Sequence, residues 1–68
     1  MNIADFAPDA GRFAILRLEY RDGEVRHIFP QGDEGNAAEA LRRAASLGGN
    51  HIVIDHTGSR VAGATSVH

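Results

Sequence analysis

At 68 residues the chain has room for one small domain, and a domain of this size buries only about 60% of the surface its unfolded chain exposes. Cysteine is absent, which excludes disulfides, thiolate metal sites and a cysteine nucleophile. Seven basic against nine acidic residues leave a formal net charge of −2, so the whole molecule exerts no pull on nucleic acid or anionic lipid.

No apolar run approaches the ~20 residues of a membrane span, and no basic-then-apolar leader opens the chain, so a cytoplasmic protein without membrane contact is expected. Every basic residue is an arginine, a bias for which a GC-rich genome accounts.

Residues 1–11 mix Asp5, Pro8, Asp9 and Gly11 with small apolar residues and show no period. They read as an irregular arm in which Ile3 and Phe6 dock on a single domain spanning residues 12–68. From Phe13 to Tyr20 the chain is rich in strand formers, with alternating polarity in its second half. Asp22-Gly23 then supplies a tight hairpin turn, and Val25 to Phe29 run back until Pro30 removes a backbone donor. A two-residue turn sets Tyr20 against Val25, Glu19 against Arg26, Leu18 against His27 and Leu16 against Phe29. Ala14, Leu16, Leu18, Tyr20, Val25, His27 and Phe29 then share the core face, leaving Ile15, Arg17, Glu19, Arg26 and Ile28 outside.

Gln31 to Gly35 form an acidic, glycine-rich loop. Asn36 with Glu39 makes a capping-box-like start for a helix from Ala37 to about Leu47. Ala37, Ala40, Leu41, Ala44 and Leu47 lie on its narrow apolar stripe, and Gly48-Gly49 ends it. A second hairpin follows: His51 to His56, a turn at Thr57-Gly58 or a neighbouring pair, and Arg60 to Ala64, with Asp55 opposite Arg60 and Ile54 opposite Val61. The expected fold class is α+β, in the order ββαββ, with a four-stranded, mainly antiparallel sheet and one helix on one face. Leu16, Leu18, Leu41, Ile52, Ile54 and Val61 are its expected core.

No constellation for catalysis emerges. His51 and His56 point to opposite faces of one strand, His27 is expected at the core edge, and His68 lies at the terminus, so neither a metal nor a cofactor is expected. Asp33-Glu34 lacks calcium-loop spacing, and Ser46, Ser59 and Ser66 lack a nucleophile-elbow sequence. What remains is the sheet face that a single helix leaves open. Ile15, Ile28, Val53 and Ala62 are expected there among Arg17, Glu19, Arg26, His51, Asp55 and Arg60. A few aliphatics ringed by arginine fit an interface core and rim. The expected partner-binding residues are therefore Ile15, Arg17, Arg26, Ile28, Val53, Asp55 and Arg60. Pairing that face between two copies makes a homodimer. Nucleic acid is disfavoured, because carboxylates oppose two of the arginines and no aromatic is placed to stack on a base.

Ala40-Leu41-Arg42-Arg43-Ala44-Ala45 through Gly48-Gly49, followed by His51 to Ile54, Gly58 and Arg60-Val61, resembles a group of short bacterial ββαββ domains of unknown function. The hairpin–helix–hairpin layout, short length and acidic balance also look like some phage-encoded anti-CRISPR proteins, which bind a CRISPR effector complex and block it. Phe29-Pro30 with Gly35 and Ala38-Glu39-Ala40-Leu41 is similar to HicB-type antitoxins, although the apolar residues expected after the proline and a DNA-binding extension are missing. The open sheet face and the likeness to anti-CRISPR proteins together point to a non-catalytic protein-binding module, an inhibitor that acts by covering a partner protein. The alternative is a small regulatory nucleic-acid-binding or antitoxin protein.

Overall fold

The Asp22-Gly23 turn organises the first hairpin: both residues take positive φ (54° and 80°), the combination a two-residue turn needs to match strand twist. A computed structural model describes residues 2–61 of the chain. It contains β1 (Phe13–Arg21), β2 (Glu24–Glu34), α1 (Ala37–Leu47) and β3 (His51–Ile54). The strands form a three-stranded antiparallel sheet in the order β2-β1-β3, with β1 central. The class is α+β with one helix among the described residues. Residues beyond Arg60 and Val61 in the expected fourth strand, Ala62 to Ala64, lie outside the described ones.

Two bulges on β2 decide which side chains meet. Tyr20 lies opposite Val25 as expected, but Glu19 then faces His27 rather than Arg26, and Leu18 faces Ile28 rather than His27. One extra residue has entered the returning strand, and a one-residue slip moves every later side chain to the other face. Ile28 therefore joins Leu16 and Leu18, while His27 and Phe29 come to the side of Arg17 and Glu19.

A second shift lies between the pairs Leu16–Pro30 and Ala14–Asp33. Here β2 continues to Glu34, where a loop was expected from Pro30 onward. Two arginines clamp this extension. Arg12 donates from Nε and Nη2 to Asp33 Oδ1 at 2.8 and 2.6 Å, and Arg43 reaches Glu34 Oε2 and the Gln31 carbonyl at 2.9 Å each. Pro30 is tolerated because β2 is an edge strand.

The helix spans the expected residues. Asn36 Oδ1 accepts the Glu39 N–H at 3.1 Å, but the Glu39 carboxylate turns to Arg42 Nη1 at 2.6 Å rather than back to the cap. Its position corrects the expected layering. Ala40 and Ala44 seat it on Ile15 and Val53, with Phe13, Leu41 and Val61 around them. The larger cluster, Ala14, Leu16, Leu18, Ile28, Ile52 and Ile54, lies on the opposite face.

That face is covered by the N-terminal arm. Residues Ile3–Phe6 form a 3₁₀ turn closed by a reciprocal Asn2–Asp5 capping box, and Ile3 and Phe6 pack on the cluster together with Val25. Gly58 admits the arm: its φ is +85°, and a Cβ there would stand 2.8 Å from Ala4 Cβ and 2.9 Å from Ala4 Cα. The chain thus packs on the sheet from both sides, with α1 on one face and Ile3 and Phe6 of the arm on the other.

Candidate functional site

The residues expected to form one exposed face are divided by this layering. Ile15 (0% exposed) and Val53 (2%), expected on one exposed face, are neighbours across β1 and β3, but they lie beneath the helix. Ile28 (6%) is on the opposite side of the sheet. None of the three offers a free surface, because α1 takes one face and the bulge turns Ile28 to the other. Arg26 is exposed at the first bulge. Arg60 bridges Ile54, one place from its expected partner Asp55.

Asp55 serves its own turn. Its Oδ1 accepts from Thr57 Oγ1 (2.6 Å), the Thr57 N–H (2.9 Å) and the Ser59 N–H (3.1 Å). The Thr57 hydroxyl, opposed by burial and assisted by the two backbone donors and the nearby His56, holds this carboxyl below its ordinary value of 3.8.

Arg17 is the expected site residue that the fold places in a coherent patch. Beyond the Ile15–Val53 pair on the helix side of the sheet come Arg17, opposite Phe29 on β2 and His51 on β3, and Glu19, opposite His27. The Arg17 guanidinium carbon stands 4.2 Å from the centre of the Phe29 ring, a cation–π geometry. His27 flanks that ring at 5.9 Å between centroids. Its Nδ1 lies 3.2 Å from Glu19 Oε1, while Arg17 Nη1 lies 3.6 Å from Glu19 Oε2. Phe29 remains 36% exposed. These side chains fix one another in orientation while leaving an aromatic ring and a guanidinium facing outward. Phe29 and His27 were expected in the core, and only the bulge register brings them to Arg17.

A separate groove of about 330 Å³ runs between the C-terminal half of α1 and the outer edge of β3. Leu41, Ala44 and Val53 line its apolar side, with His51, Arg60 and Val61 at the rim. His51 Nδ1 is hydrogen-bonded to the Gly48 carbonyl at the helix end. Among the described residues no group of three or more His, Cys, Asp or Glu side chains is placed to hold a metal ion. Comparison with protein-family models, with curated proteins and with solved structures returned no match.

Proposed function

We propose that this chain is a small, non-catalytic, cytoplasmic protein-binding module, an inhibitor of the kind phages and mobile elements encode, which blocks the surface of a partner protein. The observation that carries the reading is the Arg17–Phe29 stack, exposed and held in place by Glu19 and His27. Aromatic and arginine side chains that are already oriented supply contact area at low entropic cost, and they dominate the energetics of protein interfaces. In its finer architecture the proposed fold is ββαββ, with residues 60–64 as a fourth strand beside β3.

The rival reading is a regulatory nucleic-acid binder or antitoxin, since an exposed ring beside a guanidinium also suits base stacking. Against it, Arg12, Arg42 and Arg43 each pair with a carboxylate.

Affinity capture with the tagged full chain, at about 0.05 and 0.5 M salt and with nuclease treatment, separates the two. A protein partner retained at both salts, and lost with Phe29→Ser while the variant stays folded, supports the proposal. Capture that is nuclease-sensitive or collapses at the higher salt, or that is indifferent to Phe29→Ser, overturns it. Sedimentation equilibrium of the same two proteins shows whether that partner is a second copy.

A further inference from the structure

We infer that the Arg17–Phe29 patch takes an acidic segment of its protein partner, an aspartate or glutamate carboxylate being received by the Arg17 guanidinium; the inference rests on the binding surface proposed above. Three other arginines show what a satisfied guanidinium looks like in this fold. Arg12 holds Asp33 at 2.6 Å, Arg42 holds Glu39 at 2.6 Å and Arg43 holds Glu34 at 2.9 Å. Arg17 differs. The carboxylate beside it, Glu19, keeps Oε2 3.6 Å from Nη1, beyond a hydrogen bond, and its other oxygen is engaged by His27 Nδ1 at 3.2 Å. The half-exposed guanidinium is held over the Phe29 ring instead. A guanidinium lying over a ring keeps the N–H donors along its edge for a second partner, and that planar fork matches both oxygens of a carboxylate.

Apolar surface adjoins the fork. Phe29 is exposed beside it, and Leu47 is exposed at the end of α1. The helix ends next to His51, the β3 neighbour of Arg17, whose Nδ1 is hydrogen-bonded to the Gly48 carbonyl. Leu47 follows Arg43 by one turn, on the side of the helix from which Arg43 reaches the Gln31 carbonyl of β2. One cation beside exposed apolar side chains fits an acidic residue flanked by apolar ones. A nucleic-acid backbone fits less well. Glu19 stands within the patch and opposes a run of phosphates, and the net charge of −2 gives no long-range attraction to a polyanion.

Selection of random dodecapeptides on the immobilised full-length protein, at about 0.15 M salt, tests this. Peptides rich in Asp and Glu next to apolar residues are expected. Arg17→Gln is expected to weaken the best of them at least about tenfold, and Arg17→Lys, which keeps the charge but not the fork, to retain part of the affinity. Circular dichroism checks that both variants stay folded. Peptides that are lost with Phe29→Ser yet are basic or uncharged, or are unaffected by Arg17→Gln, leave the patch as a binding surface and overturn its acidic partner. Peptides indifferent to both substitutions overturn the surface as well. An empty selection overturns the inference, and so does displacement of the acidic peptides by an equal concentration of single-stranded oligothymidylate, which would assign the fork to phosphate.

Discussion

Asp55 shows how one side chain can define a turn and leave a measurable signature. Its carboxyl titrates below 3.8 because the Thr57 hydroxyl and two backbone N–H groups bond its ionised form. A depressed folded-state value means that the associated stability is fully present above the unfolded value and is lost as pH falls through the folded one. The thermal midpoint is therefore expected to fall from about pH 5 towards pH 3, with a shallower fall in Asp55→Asn. Thr57→Val is expected to move the Asp55 carboxyl resonance titration upward, and an unmoved titration would contradict the assigned cause. Val53 carries a second lesson at this scale. Had it lain on an open face, Val53→Arg would have tested dimerisation in a folded monomer. Buried beneath Ala40 and Ala44, it is instead expected to abolish the cooperative unfolding transition altogether.

At the scale of elements, the helix was legible to the residue and the first hairpin only as far as its turn. Asn36, the alanine stripe and Gly48 are local signals, and a local reading recovers them. The register of β2 is not local. Where an extra residue enters depends on which side chains the rest of the chain can bury, so Ile28 could not be separated from His27 by alternation alone. Ile28→Ala is expected to cost about 2–5 kcal/mol, the range for a buried aliphatic, in urea or thermal unfolding. Leu41→Ala should fall near the bottom of that range, about 2 kcal/mol, because Leu41 is half-buried at the groove. A negligible effect for Ile28 would restore the unshifted register. The Arg17–Phe29 stack was hidden for the same reason: the two residues become neighbours only after the bulge.

For the whole molecule, the decisive feature is that both faces of the sheet are covered by the chain itself. An arm without periodicity gives little sign of its importance, although Ile3 and Phe6 were recognisable as docking residues. What could not be read was that they cover the larger core cluster and so release the helix to the other face. Gly58→Ala is expected to dislodge the arm through its contact with Ala4, and increased protease cleavage before Arg12 would report it. The most direct test compares thermal unfolding of Phe6→Ala and Phe29→Ala. Phe6→Ala is expected to cost about 2–3 kcal/mol, lowering the midpoint by roughly 10 °C or more, and Phe29→Ala no more than about 1 kcal/mol. The reverse order would place Phe29 in the core and the arm outside it, and would contradict both the layering and the binding surface.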